Sequence, residues 1–295
     1  MELRVLQYFL IITREESISK AATILHITQP TLSRQIKELE EEFGKQLFIR
    51  GNRKITLTNE GILFKQYAQE IVNLVEKPQR DMLKDDKELS GDIYIGSGES
   101  PGIRLVMKTI SKMQAMYPQI KFHLFSGNAQ DITHRLDSGL LDFAIFIDPT
   151  NLTKYDYFKL PLKETWGVLM RKDSELASYD YITPQLLKNQ PIILSNQEMV
   201  KNQIAGWIGG NERHLNIKVT YNLINNVALL VEENGGYAFT FKNLVTLNDN
   251  SLLCFKPLFP TLEVGINIAW KKYHVFSKAA ERFLELLKEE FEHIP

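Results

Sequence analysis

The sequence predicts an α/β protein that begins with a separate helical segment ending in a β-hairpin. Three observations predict this fold class. A chain of 295 residues is long enough for about two domains. Residues 1–58 have helical periodicity followed by a hairpin pattern, and from Gly91 onward short apolar strands alternate with helices. The hydrophobic fraction of 44% supplies enough apolar side chains for a buried core.

Composition and charge exclude several classes of protein. The net charge is −1, with 35 basic and 36 acidic residues, which excludes a protein that coats nucleic acid along its whole length but permits a local basic patch. The single cysteine, Cys254, cannot form an intrachain disulfide and favours a reducing compartment. No signal peptide and no apolar run of about 18 residues is found, so we expect a soluble cytoplasmic protein without membrane contact.

The N-terminal segment predicts three helices in close succession. Apolar residues recur at helical spacing over residues 3–10, and Ser17 can cap a second helix. After a short turn, Thr28 can cap a third helix with Pro30 in its first turn, and Gly44 can end that helix in a left-handed conformation. Two helices joined by so short a turn are typical of a helix-turn-helix at about residues 18–37, although a plain α-hairpin has the same pattern.

The third helix has a polar face opposite its apolar stripe. At 100° per residue, that face presents Pro30, Arg34 and Lys37, flanked by Thr31 and Ser33. Cations and short hydroxyls suit phosphates and base edges. The later turns are acidic and would repel a phosphate backbone. The pattern therefore predicts that only the N-terminal turns enter a DNA groove.

A β-hairpin with a basic tip is predicted next. Two short apolar runs, Leu47–Ile49 and Ile55–Thr58, flank a Gly-Asn turn. Between them stand Arg50, Arg53 and Lys54 without an acidic residue. Such a cluster is often a solvated loop, but beside a helix-turn-helix it favours a wing that lies against phosphates.

These spacings resemble the N-terminal domain of LysR-type transcriptional regulators. The resemblance covers roughly the first fifth of the chain. The residues that carry it are Ser17–Ala22, Leu25, Gln29, Pro30, Ser33–Glu40, Gly44, Leu47–Arg50 and Leu57–Gly61. Together with the polar face and the wing, it predicts DNA contacts by Ser17, Thr28, Gln29, Pro30, Thr31, Ser33, Arg34, Lys37, Arg50, Arg53 and Lys54.

The resemblance implies the architecture of the remaining chain. It implies a winged helix-turn-helix at residues 1–58, a dimerising linker helix at 59–89, and at 90–295 a two-lobed effector-binding domain similar to periplasmic solute-binding proteins. It further implies a homodimer or homotetramer that binds double-stranded promoter DNA and responds to a small molecule. We expect the first lobe at about 90–161 and 268–295 and the second at about 162–267.

The linker segment has a helical apolar seam. Its members are Phe64, Ala68, Ile71, Leu74 and Val75. An exposed seam needs a partner, which is either the chain's own N-terminal domain or, as we favour, the same helix of a second subunit. A proline at position 78 would either kink this helix or force it to restart.

Ligands of open α/β sheets bind beyond the carboxyl ends of the strands. This rule predicts effector contacts by Ser97, Glu99, Ser100, Ser126, Asn128, Phe146, Leu194, Ser195, Asn196 and Thr240. Ser100 and Pro101 are predicted to begin a helix, whose free N–H groups favour an anion, so a carboxylate-bearing effector is expected. The charge of Glu99 opposes this expectation and would attract an amine.

One enzyme motif competes with the regulator hypothesis. Gly98–Gly102 fits G-x-S-x-G, the nucleophile elbow of hydrolases, with Ser100 as nucleophile. The oxyanion hole of that elbow uses the N–H of the following residue, which here is Pro101 and has none. The histidines are scattered without metal-ligand spacing. We therefore expect no enzyme activity, no catalytic residues, no metal and no cofactor.

Overall fold

The computed structural model describes residues 1–51, 54–82, 89–210 and 215–292. The chain divides into two compact units, Met1–Lys84 and Asp85–Pro295. Within the described ranges, no helix combines the length and the apolar character that a membrane span needs.

The N-terminal unit consists of four helices and a two-stranded antiparallel hairpin. Its elements are α1 (Leu3–Glu15), α2 (Ile18–Ile24), α3 (Gln29–Phe43), β1 (Phe48–Arg50), β2 (Ile55–Leu57) and α4 (Asn59–Met82). The predicted caps are confirmed. The Ser17 and Thr28 hydroxyls accept hydrogen bonds from the N–H groups of Lys20 and Thr31, both at 3.4 Å. Gly44 ends α3 at φ +63°.

Aromatic packing fixes the hairpin and α4 against the first helix. The ring centroid of Phe9 lies 4.9 Å from those of Phe48 and Phe64. At the start of α4, a Cβ on Gly61 would lie 2.0 Å from the Leu47 carbonyl oxygen. Only glycine therefore allows this close approach of helix and hairpin.

Helix α4 excludes one of the two alternatives at Pro78 and corrects the predicted seam. It runs through Pro78 to Met82 without a restart, and its backbone is described only to that residue. Its apolar residues lie on two faces rather than one seam. Ala68 and Val72 are buried in the core of the same unit, whereas Ile71 is exposed.

The C-terminal unit alternates strands and helices as predicted. Its strands are β3 (Gly91–Ser97), β4 (Ile120–Ser126), β5 (Phe143–Ile147), β6 (Tyr155–Arg171), β7 (Ile192–Ser195), β8 (Ile217–Tyr221), β9 (Tyr237–Phe241), β10 (Leu253–Pro257) and β11 (Glu263–Lys271). Its α-helices are α5 (Ile103–Met116), α6 (Ala129–Asp137), α7 (Glu198–Trp207), α8 (Asn225–Glu232) and α9 (Lys278–Glu292). A short 3₁₀ turn also occurs at Pro184–Leu187.

The strands form one mixed sheet with two helix-covered halves. The strand order is β4-β3-β5-β11-β6-β9-β7-β8, with β10 paired to β6. Parallel pairing occurs at the two ends, whereas β6 and β11 pair antiparallel in the middle. Two residues, Pro161 and Leu162, are skipped in the pairing of β6 with β11, and such a bulge tolerates a proline.

Separate apolar clusters, two in each half, define the halves as lobes. The first lobe comprises β3, β4 and β5 with α5, α6 and α9, which packs there through Phe283. The second lobe comprises β7 to β10 with α7 and α8. Because β6 and β11 pass from one lobe to the other, the cleft lies between them and is lined by the ends of strands from both lobes.

Candidate nucleic-acid interface and ligand cavity

The start of α3 forms a continuous polar surface. Pro30 stands in the first turn, so the missing N–H leaves no bond unmade. The hydroxyls of Thr28 and Thr31 lie 2.8 Å apart. Ser33 is half-buried, and the exposed members of the surface are Thr28, Gln29, Pro30, Thr31, Arg34 and Lys37. The structure therefore brings most of the predicted DNA contacts onto one face.

The two cations of this face are paired with acids one turn later. Arg34 Nε lies 3.6 Å from Glu38 Oε1, and Lys37 Nζ lies 3.3 Å from Glu41 Oε1. All four side chains are more than half exposed. Exposed pairs of this kind contribute about 0–1 kcal/mol, so either cation can leave its partner for a phosphate.

One acid of α3 has a structural role that the sequence did not reveal. The Glu40 carboxylate accepts hydrogen bonds from the N–H groups of Leu47 and Phe48, at 2.7 and 3.1 Å. It therefore anchors the start of the hairpin. Glu40 does not belong with the acids of the later turns that face solvent.

The predicted wing is described only in part. Lys54 Nζ lies 3.2 Å from Glu16 Oε2, so this cation is tied to the turn between α1 and α2. Arg50 ends β1, and Arg53 lies outside the described residues. Ser17, the remaining predicted contact, uses its hydroxyl as the cap of α2.

A cavity of about 80 Å³ lies between the two lobes. Five of the predicted effector contacts line it: Glu99, Asn128, Phe146, Ser195 and Thr240. Sequence analysis missed further lining residues with polar or aromatic side chains, namely Asp148, Trp166, Gln197, Tyr221, Asn222 and Phe241. Most of these follow or end strands, which is the signal that could have identified them.

The other predicted contacts lie elsewhere. Ser97 is the last residue of β3, and the residue after it is the first of this segment to line the cavity. Ser126 ends β4 and is exposed. Leu194 belongs to the core of the second lobe, and Asn196 is exposed beside a neighbouring surface pocket. Because successive side chains of a strand point to opposite faces, an error of one residue removes a side chain from the cavity.

Ser100 is buried and does not line the cavity. Its hydroxyl donates a short hydrogen bond to the Glu164 carboxyl group. The Gly102 N–H donates to Ser100 Oγ at 3.0 Å and to Glu164 Oε1 at 2.8 Å. Helix α5 begins at Ile103, two residues later than expected. The premise of a helix start that is open to an effector carboxylate is therefore wrong, because a carboxyl group of the chain already occupies it.

The hydrogen bonds of Ser100 also argue against the hydrolase alternative. A serine nucleophile needs an adjacent base, usually a histidine. The hydroxyl of Ser100 is instead bonded to Glu164, and both side chains are buried. Among the described residues, no group of three or more potential ligands could hold a metal ion.

A glutamine links the lobes at the mouth of the cavity. Gln197 Oε1 accepts a hydrogen bond from the Ala129 N–H at the start of α6, at 3.2 Å. The Gln197 side-chain Nε2 donates to Ser195 Oγ at 3.4 Å. Because α6 belongs to the first lobe and Ser195 to the second, this side chain connects the two.

Electrostatic interaction also crosses the cleft. Tyr221, on the second lobe, donates its hydroxyl to the Phe239 carbonyl oxygen at 2.6 Å. Burial, and in second place the negative charge of Glu99, raise the pKa of Tyr221 well above its ordinary value. Glu99 follows β3 of the first lobe, so its charge acts on the opposite wall.

Family models match most of the chain. Residues 3–62 match the model described as "Bacterial regulatory helix-turn-helix protein, lysR family", and residues 86–292 match the "LysR substrate binding domain".

Individual proteins are similar over different shares of the chain. The HTH-type transcriptional regulator BsdA of Bacillus subtilis is 34% identical over 53% of each chain. The transcriptional activator IlvY of Salmonella typhimurium is 30% identical over 70% of each. The solved structure of full-length CbnR with its target DNA is 17% identical, covers 98% of this chain and 100% of that one, and has a TM-score of 0.71.

Proposed function

We propose a separate role in regulation for each of the two units, because this chain belongs to the LysR family of bacterial regulatory proteins. The chain is a transcriptional regulator with a helix-turn-helix DNA-binding domain and a substrate-binding domain. In our proposal, α3 reads promoter DNA, α4 holds a dimer, and a small molecule in the cavity alters DNA binding. Because its binding partner in this proposal is promoter DNA, we propose that the protein acts in the cytoplasm.

The observation that carries the DNA-binding proposal is the exposed start of α3. Its outer face carries cations, hydroxyls, an amide and a proline but no acid, and the acids follow one turn later. Recognition helices of this motif dock in the major groove through their N-terminal residues. Arg34 then contacts base edges or phosphates, and Lys54 contacts phosphates beside the groove.

The dimer proposal rests on the exposed apolar face of α4. Leu63, Tyr67, Ile71 and Leu74 recur at helical spacing and are between 37% and 55% exposed. Ala68 and Val72 lie on the face that packs on the same unit. A helix with apolar residues on both faces buries the second face against another chain. A second copy supplies the same face by twofold symmetry.

The effector proposal rests on the cavity between the lobes. It is lined from both lobes, and Gln197 already forms a hydrogen bond across it. A ligand that contacts both walls stabilises one relative position of the lobes over others. We propose that Glu99, Asn128, Phe146, Ser195 and Thr240 contact this ligand, together with Gln197 and Trp166.

Binding to the DNA that flanks the protein's own gene tests the proposed function. We expect a gel shift that persists in excess unrelated DNA, because a regulator binds its own sites more tightly than others. A protein that binds all DNA alike loses the shift at the same competitor concentration for every sequence. That result would contradict sequence recognition by α3.

A further inference from the structure

The cavity also indicates the chemical class of its ligand. We infer that the effector is a small organic cation, an amine that also carries a neutral hydrogen-bond acceptor. The inference rests on the proposed function, since it assigns a ligand to the proposed effector cavity. It replaces the carboxylate that the sequence led us to expect.

The charge of the cavity wall favours a cation. Two carboxylates, Glu99 and Asp148, are part of the lining, which contains no lysine, arginine or histidine among the residues that the structure describes. A carboxylate ligand would meet two like charges without a counter-ion. An ammonium group would meet two opposite charges in a site of reduced dielectric constant, where attraction exceeds that in water.

Two helix starts of the first lobe that could bind an anion already bind groups of the chain. At the start of α5, the Gly102 N–H donates to Glu164. At the start of α6, the Ala129 N–H donates to Gln197 and the Asp131 N–H to the Asn128 side chain. Anions bind at helix starts because N–H groups are free there. These bonds within the chain would have to break before an effector carboxylate could take their place.

Three polar atoms of the lining residues lack a hydrogen-bond partner. They are Glu99 Oε2, Trp166 Nε1 and Thr240 Oγ1, and each is itself buried. Trp166 and Thr240 are only 3% and 2% exposed. Buried polar groups without a partner are costly and rare. A bound ligand satisfies them if it donates to Glu99 and accepts from the Trp166 indole.

Glu99 is the carboxylate with fewer hydrogen-bond partners within the chain. Asp148 Oδ1 already accepts a hydrogen bond from Asn267 Nδ2 at 3.0 Å. One oxygen of Asp148 therefore already has a partner within the chain. The unpartnered oxygen of Glu99 has none within hydrogen-bond distance.

The size and the aromatic walls limit the ligand further. A volume of about 80 Å³ is only about three times the roughly 30 Å³ that one water molecule takes up in the liquid, so the ligand has few heavy atoms. The rings of Trp166 and Phe241 adjoin with centroids 4.2 Å apart. Aromatic faces attract cations, which adds to the preference for an ammonium group.

Three probes that share a three-carbon chain and a hydroxyl group isolate the effect of charge. They are 3-aminopropanol, 3-hydroxypropionamide and 3-hydroxypropionate. Binding of each to the full chain is measured by calorimetry, together with the thermal midpoint of unfolding. We expect 3-aminopropanol to bind at least about tenfold more tightly than the neutral amide, and the acid to bind more weakly than the amide.

Two variants show whether Glu99 is responsible. Glu99→Gln keeps the size of the side chain and removes its charge, so we expect it to weaken amine binding about tenfold while the midpoint without ligand stays close to that of the wild type. Glu281→Gln removes an exposed charge from α9, outside the lining, and should bind the amine like the wild type.

The possible results separate this inference from the proposed function. Tighter binding of 3-hydroxypropionate than of 3-aminopropanol, or equal binding of all three, would overturn the cationic ligand and leave the effector cavity in place. Unchanged amine binding by Glu99→Gln would overturn it as well. If none of the probes binds while the operator shift persists, the cavity is not an effector site and only the DNA-binding part of the proposal stands.

Discussion

The outer face of α3 and the cavity of the C-terminal unit are both polar, yet they hold their polar groups in opposite ways. On α3, Arg34 and Lys37 are exposed and loosely paired with acids of the same helix. In the cavity, the unpartnered atoms of Trp166 and Thr240 are buried. The first surface suits a polyanion that releases counter-ions, so its binding depends on salt. The second suits one small molecule of matching charge and hydrogen bonding.

The largest effect is expected at the exposed apolar face of α4, which we propose as the dimer contact. Ile71→Glu places a charge in the exposed apolar stripe of α4, and a charge buried without a partner costs several kcal/mol. We expect dissociation to monomers in light scattering and loss of operator binding. Gln66→Glu, on an exposed position outside the stripe, is the matched control and should leave the dimer intact. A stable dimer of Ile71→Glu with normal operator binding would exclude this face as the contact.

Replacing Arg34 on α3 tests whether the exposed polar face of this helix binds DNA. Arg34→Ala should lose about 1–3 kcal/mol of specific operator binding, measured by titration at fixed salt. Arg4→Ala removes an equally exposed cation of the same unit from α1 and serves as the control. An unchanged operator affinity of a folded Arg34→Ala variant would show that this face does not enter the groove.

The buried network beside the cavity should respond in stability rather than in binding. Ser100→Ala removes one donor from the buried Glu164 carboxyl group, which should lower the free energy of unfolding by about 1–3 kcal/mol. Ser178→Ala, at an exposed hydroxyl, should change it little. Denaturant unfolding of the two variants decides the matter. Because Ser100 is buried and bonded, a bulky residue there would disrupt the lobe and is not a clean block of the cavity.

The smallest effect is expected in the hairpin. Lys54→Ala removes one proposed phosphate contact and also frees Glu16, so its loss of affinity should be at most about 1 kcal/mol and similar for all sequences. The slope of log affinity against log salt should fall by about one. A loss confined to the operator would mean that Lys54 takes part in sequence recognition.

The local features of α3 could be predicted because each depends on residues close in sequence. Ser17 and Thr28 bond to N–H groups three residues later, and the αL conformation of Gly44 needs no distant partner. The periodicity of the apolar stripe likewise identifies the outward face within a few turns. The sequence therefore predicted the caps, the turn and the exposed cations together.

The cavity could be predicted only in part because its polar groups meet across long distances in the chain. Ser100 and Glu164 are separated by 64 residues, and Ala129 and Gln197 by 68. Nothing near Ser100 in the sequence indicates that a buried glutamate occupies the start of α5. The strand ends did indicate Glu99, Asn128 and Ser195.

A footprint on the DNA beside the protein's own gene, with and without 3-aminopropanol, connects the two regions in one measurement. We predict that the amine changes the affinity or the extent of protection for the wild type and changes neither for Glu99→Gln. Identical footprints and affinities with the amine bound to the wild type would contradict an effector cavity that controls DNA binding.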